Sequence, residues 1–546
     1  MKECVKQGGI LPNKQNKSSV QQKYLLNLSF LCNNTFTQRK VMLYTIIALF
    51  LGIYFTLVSY PGVLYFDSYS RWDTANSIVR MVYQLIFSER KAVEATIPIT
   101  MLFEDLSEKN AVEASTLLNM PTEHTSELTS YILSPSTKTL NKISWLNITP
   151  QFFMALLYLF TFNIASFTFV QVVLFFFSSF LMIDKFVYYG KPVIIVLFIL
   201  CPIFYGFSVY HEMSVGCVIG INFGLLLLSN EKLTNFNHWK VIKKSFYAIG
   251  IFTCYYIAFG FRANAFTTFP IIVTLAIYLY KKYKDRILLM LQIGCICVSL
   301  FFANLFPSIL GITVLNGSSP GFVWEILCII QEMPKENQIQ YNEYLDFIAG
   351  NGCTIDALTV NSKSGSVNLW LWDVMGTVQI GNKNVKQKIM QKYFHLAFTE
   401  FNYFIRTKLY FIGRTLGIQE PLLNIEYDYN RADKMHYLGM VDNQLRYWFV
   451  RSYNKFQEIT PLFRVPWIWF SIGLMLVIWQ LIKTDKGHSF YSLTLYLLSI
   501  FYYTAFIINT QSFEFRYFFP SFYYIFIVVA DSVSMIWHKY SINNTN

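Results

Sequence analysis

The chain has 546 residues, of which 54% are hydrophobic and only 14% charged, and its aromatics reach 18% with 52 Phe and 37 Tyr. With a mean hydropathy of +0.38, these proportions exclude a water-soluble globular domain of this size and predict an all-α polytopic membrane protein. The net charge of +12 does not indicate a nucleic-acid partner, because the Lys and Arg residues sit mostly in short connections between apolar runs and so read as an orientation signal. Five of the nine cysteines, Cys201, Cys217, Cys254, Cys295 and Cys297, fall in apolar runs. There is no CxxC pair or His/Cys ligand cluster, which argues against cysteine-based metal or redox chemistry.

Residues 1–40 form a basic tail, with seven Lys or Arg against the single acid Glu3. An unbroken apolar run over 41–60 follows. It is too long for a signal-peptide core and has no small-residue cleavage site after it, so it reads as an uncleaved first span with its amino end in the cytoplasm. Residues 61–165 make a first long outer segment. It closes in an apolar stretch, Phe152 to Phe162, that is too short to span and is expected to lie in the interface. Spans two to seven occupy 166–306, at about 166–183, 192–210, 213–230, 245–261, 265–280 and 287–306. A second long outer segment, 307–465, is expected to form a soluble domain and holds Cys328 and Cys353, which could form a disulfide in an oxidising compartment. The last three spans lie at 466–482, 488–509 and 518–537 within 466–537, and 538–546 is a cytoplasmic tail. The fold expected is therefore about ten transmembrane helices with two long outer loops, placed in a bacterial cytoplasmic membrane with both termini inside. The inner connections and tails of this thread hold 20 Lys or Arg, whereas the short outer connections hold only Arg262 and Arg516. No internal repeat or low-complexity linker is evident.

Four outer corners carry polar groups. The first span exits into Tyr60-Pro61-Gly62 and then Phe66-Asp67-Ser68, so Asp67 is held near the bilayer among aromatics. There it can take a proton from an acceptor hydroxyl, or it can simply cap a following helix. The tight corner His211-Glu212 places two ionisable groups at the outer surface, to orient a substrate, bind a cation or mark a turn. Arg262-Ala263-Asn264 follows the fifth span, where an Arg fork suits a lipid-linked phosphate or snorkels to head groups. Before the last span, Glu514, Arg516 and Tyr517 precede Pro520, and Arg516 can pair with Glu514 or face the same phosphate as Arg262.

At these residues the chain resembles bacterial members of the GT-C superfamily of membrane glycosyltransferases. The resemblance rests on Tyr60-Pro61-Gly62 with Phe66-Asp67-Ser68, on Arg262-x-Asn264, and on Glu514-x-Arg516-Tyr517 with Pro520. It implies a sugar donor linked to a polyprenyl phosphate, a glycan or glycolipid acceptor at the outer face, and Asp67 as catalytic base of an inverting transfer. Arg262 and Arg516 would then face the leaving phosphate, and Glu212 or His211 would position the donor or a divalent cation. The chain departs from the family pattern at Thr149-Pro150, where related sequences often have His-Pro, and at His211-Glu212, where they have Lys-Asp. Two other readings stay open: a polysaccharide polymerase or ligase, for which Arg406, Arg414, Arg431, Arg446 and Arg451 of the second outer segment are candidates, and a secondary transporter. Against transport, the spans carry few ionisable residues, Asp531 being the nearest exception.

Overall fold

The computed structural model describes residues 38–59, 75, 78–79, 143–144, 148–161, 165–187, 212–310, 313–314, 319–334, 336–337, 383–422, 444–484, 486–510, 513 and 515–545. Predicted span 192–210 lies outside the described residues, as do Asp67, His211, Glu514, Arg431 and Cys353. For Glu212, Arg516 and Arg446 only the backbone is described.

The described chain is helical apart from one two-residue strand pair. Its helices are α1 Gln38–Ser59, α2 Thr149–Thr161, α3 Ala165–Phe186, α4 Glu212–Leu228, α5 Val241–Phe261, α6 Phe269–Tyr283, α7 Arg286–Ile309, α8 Ser319–Glu332, α9 Lys383–Thr399, α10 Phe401–Thr415, α11 Gln444–Ile459, α12 Pro466–Lys483, α13 Lys486–Ile508 and α14 Phe515–Thr545. Among the described residues, seven helices are long and apolar enough to cross a membrane, or eight if the pair bent by 61° at the end of α4 counts as one span. The protein is therefore an α-helical polytopic membrane protein. Helices cover nine of the ten predicted spans. At 13 residues, or about 20 Å at 1.5 Å per residue, α2 is too short to cross, as its apolar stretch predicted.

Polar contacts sort the helix ends into two levels. At the level of the described amino end, Lys40 at the start of α1 pairs with Asp184 at the end of α3 (3.1 Å), and Lys185 pairs with Glu231 beyond α4 (3.0 Å). There also the Tyr283 hydroxyl at the end of α6 donates to the Asn230 carbonyl (3.2 Å). α7 starts at this level, capped by Asp285, whose carboxylate accepts from the Leu288 amide at 3.0 Å. The opposite level holds the end of α5, the starts of α4 and α14, and the end of α13.

Between the levels the bundle is closed by small residues and aromatics. Gly216, Gly220 and Gly224 repeat every fourth residue on α4, so they line one face of that helix. A Cβ at Gly220 would lie 2.5 Å from the Cys254 carbonyl oxygen of α5, so the two backbones touch. Asn222 on α4 is fully buried and donates to Tyr523 (2.7 Å) and Ser178 (3.2 Å), while the Tyr524 hydroxyl donates to its amide oxygen (3.3 Å). This hub ties α3, α4 and α14 together with every polar group of the Asn engaged. The strand pair Ile143↔Thr313 and Ser144↔Val314 runs parallel and joins the two long segments, 61–165 and 307–465.

Candidate functional site

At the end opposite the described amino end, Arg262 sits at a break in the backbone. The α5 helix stops at Phe261, and Arg262 adopts an extended conformation (φ −134°, ψ 113°) before the 3-10 turn Ala263–Thr268 begins. Phe261 is buried and its ring occupies the space that a side chain at Gly216 would fill, a Cβ there lying 1.9 Å from Phe261 Cδ1. Ser214, two residues earlier on α4, is thereby brought against Arg262. Its hydroxyl accepts from Nε at 3.3 Å and Nη2 at 3.1 Å.

The other face of the corner comes from α13 and α14. The Arg262 guanidinium carbon lies 4.9 Å from the centre of the Tyr517 ring, within the range of a cation–π contact. Tyr502 of α13 packs beside Ser214 and Arg262. Arg262 forms no ion pair among the described residues. The Nε edge of the guanidinium is held by Ser214 and one face by Tyr517, which leaves the edge between the two terminal nitrogens for an anion, the edge that grips two oxygens of a phosphate.

The structure brings together three of the four predicted corners. The start of α4 supplies Glu212 as its first residue, the α5 exit supplies Arg262 and a half-exposed Asn264, and the start of α14 supplies Tyr517 and the backbone of Arg516. The fourth corner, Asp67, lies outside the described residues. Ala75, Ile78 and Val79, which follow it in the chain, are buried in one cluster with Phe261, Ile148 and Met154 of the α2 segment. Thr149 lies in the same region: its hydroxyl donates to Tyr256 at 3.4 Å, and a Cβ at Gly260 would lie 2.4 Å from its Oγ1. Ser214 and Tyr502 were missed from sequence. The Ser-x-Gly spacing at 214–216 is the signal that could have found Ser214, since the glycine is what admits the neighbouring helix.

Two other polar groups are assembled by the fold. Glu325 of α8 is buried at the same end. It accepts from Lys408 (2.7 Å) and Tyr393 (2.7 Å), and from the Thr510 amide just past α13 (3.4 Å). Burial pushes its carboxyl above the usual carboxylate range, and Lys408 and Tyr393 pull it back. All these partners are internal, so the group is an anchor between the outer helices and the bundle. The second group is centred on Asp531 of α14, which accepts from His488 (2.7 Å), Gln480 (2.9 Å) and Ser492 (3.1 Å). It lies 14 residues, or about 21 Å, along α14 from Tyr517 and does not belong to the Arg262 corner.

Two arginines considered for a polymerase make contacts within the chain. Arg414 pairs with Glu420 and lies over Phe513, while Arg451 contacts Tyr447 and Trp448 on its own helix. Cys328 is buried. Among the described residues no three His, Cys, Asp or Glu side chains come together. Comparison with family models, with curated proteins and with solved structures returned no match.

Proposed function

We propose that the protein is a membrane glycosyltransferase that moves a sugar from a polyprenyl-phosphate-linked donor to a cell-envelope glycan or lipid at the outer face of a bacterial cytoplasmic membrane, with inversion. The observation that carries this reading is Arg262: an arginine at the membrane-surface end of the bundle, without a carboxylate partner among the described residues, its orientation set by Ser214 and Tyr517. A fixed guanidinium with an open edge is suited to the charge that develops on a leaving phosphate. A lipid-linked donor also explains why such a site belongs to a polytopic chain, because the isoprenoid stays in the bilayer while its head reaches the surface.

In this mechanism Asp67 takes the proton of an acceptor hydroxyl as that oxygen bonds to the anomeric carbon. The bond from that carbon to the phosphate oxygen breaks on the opposite side, and the phosphate leaves with the electron pair. Arg262, with Arg516 beside Tyr517, balances its charge. His211, Glu212, Asn264 and Glu514 hold the donor head, and the termini lie on the cytoplasmic side.

The test is transfer of labelled sugar from polyprenyl-phosphate donors in membranes holding equal amounts of intact protein, Asp67→Asn or Arg262→Lys. Intact protein is expected to transfer, and each variant to lose about a hundredfold or more, the scale on which single transition-state donors act. Full activity in Asp67→Asn removes that residue from the mechanism, and absence of donor-dependent transfer by the intact protein overturns the reading.

A further inference from the structure

The helices α9 and α10 form a hairpin outside the spans, and its outward side is unusual for a soluble domain. On α9 the buried face is Ile389, Tyr393 and Leu396, and directly opposite it stand Phe394 and Phe398, the latter 83% exposed. On α10 the buried face includes Thr407 and Phe411, and the outward row is Phe401, Ile405 and Leu409, spaced by four residues, with Leu409 61% exposed. The two rows meet at the turn between Phe398 and Phe401. Flanking them are exposed basic side chains, Lys386, Lys388 and Arg406. Across residues 383–415 the only acid is Glu400.

Two contacts set the level of the hairpin. Lys408 of α10 donates to the Ile508 carbonyl, the last residue of α13, at 2.9 Å. The carbonyl of Leu416, just past α10, accepts from the Trp467 amide in the first turn of α12 at 3.1 Å. The end of one candidate span and the start of another therefore mark the height at which α10 runs, and those helix ends are where the chain leaves the hydrocarbon. Beside that contact Ile418, Leu462 and Trp467 are exposed, and along α12 the exposed apolar residues run on through Leu474, Met475 and Ile478.

We propose that the α9–α10 hairpin is a monotopic membrane-surface element, its phenylalanines and Leu409 set into the acyl boundary and its Lys386, Lys388 and Arg406 engaging anionic phospholipid head groups of the same leaflet. A band of large apolar side chains with flanking cations and almost no acids has the composition of an interfacial helix. A protein partner would not require the band to run on into a lipid-facing span. Outward residues in the first half of α9 are polar, Lys386, Gln387, Lys388 and Gln391, and those in its second half are Phe394 and Phe398. The helix therefore dips toward the turn, so that its lysines reach the head groups from above. This inference rests on the membrane spans and does not depend on the sugar-transfer reading.

The test uses full-length protein, with its native cysteines replaced, reconstituted in vesicles of phosphatidylcholine and phosphatidylglycerol. Spin labels are placed at 387, 398 and 405. Labels at 398 and 405 are expected to be reached by oxygen and shielded from an aqueous nickel complex, and the label at 387 to show the reverse. Water-like access at 398 and 405 overturns the proposal, as does spin–spin broadening that shows a second copy covering them. Hydrogen exchange of the unaltered protein in nanodiscs provides an independent arm: α9–α10 amides are expected to exchange more slowly with phosphatidylglycerol present than in neutral lipid, and equal rates count against the anionic partner. Retention of phosphatidylglycerol by purified Lys386→Gln/Lys388→Gln/Arg406→Gln is expected to fall by about fivefold or more, the scale of removing even one basic residue from an anionic surface. Unchanged retention overturns the head-group assignment.

Discussion

The orientation of Arg262 is set by its surroundings. The two hydrogen bonds to Ser214 fix the plane of the guanidinium, and Tyr517 covers one face. Ser214→Ala removes the fixed acceptor while leaving the charge. Transfer from the lipid-linked donor is expected to drop about tenfold with the protein still inserted, because a hydrogen bond to a charged group contributes roughly 1.5–3 kcal/mol. Comparing initial rates of Ser214→Ala with Arg262→Lys checks this, and Arg262→Lys should lose more because an ammonium has no fork. Lys392 on α9 offers a pH test at the same scale. Burial pushes its ammonium down to about 8 from 10.5, partly opposed by Glu400. A lowered lysine pKa means that the folded state favours the neutral amine, so the outer helices pay a penalty below about pH 8 that is relieved as pH rises toward 10.5. Lys392→Met is therefore expected to stabilise the detergent-solubilised protein at pH 7, with the gain shrinking by pH 10. Melting curves at the two pH values read this out, and an equal gain at both would show that packing and not charge is responsible.

Single interactions become coupling between elements at Glu325. Its carboxylate meets Lys408 from α10, Tyr393 from α9 and the amide beyond α13, and Trp324 beside it packs on Phe411 (4.8 Å) and Phe513 (5.2 Å). The outer helices are thus pinned to the loop that leads into Tyr517. Removing one member of a buried pair leaves the other charge uncompensated, at a cost of about 3–5 kcal/mol. Glu325→Leu is expected to increase hydrogen exchange in α8–α10 strongly, and the double variant Glu325→Leu/Lys408→Met to recover much of the protection. Failure of the double variant to recover would mean that Tyr393 and the Thr510 amide, not the ion pair, carry the contact. The α4–α5 contact works by different physics. Without a hydrophobic force between helices in lipid, close backbone approach at Gly220 is what brings Ser214 within reach of Arg262.

For the molecule as a whole, the membrane class was legible in the sequence, and helices lie at nine of the ten predicted spans, seven or eight of them long and apolar enough to cross among the described residues. Each follows from local composition: spanning length is set by bilayer thickness, and a charged side chain avoids the hydrocarbon. Arg262 and Tyr517 were legible as candidates for the same reason, being polar or amphipathic groups at span ends. What the sequence could not supply is which corners meet. Ser214 and Arg262 are 48 residues apart and Tyr517 lies on another helix, so their meeting depends on helix packing through Gly216 and Gly220, and no periodicity records which helix face pairs with which. The sequence of the second long segment is mixed in polarity and long enough to fold, and so reads as a soluble domain. Only the tertiary structure separates the inward row Ile389, Tyr393 and Leu396 from the outward row Phe394 and Phe398, since both fit a helical repeat and burial on one face is decided by the helices that pack there.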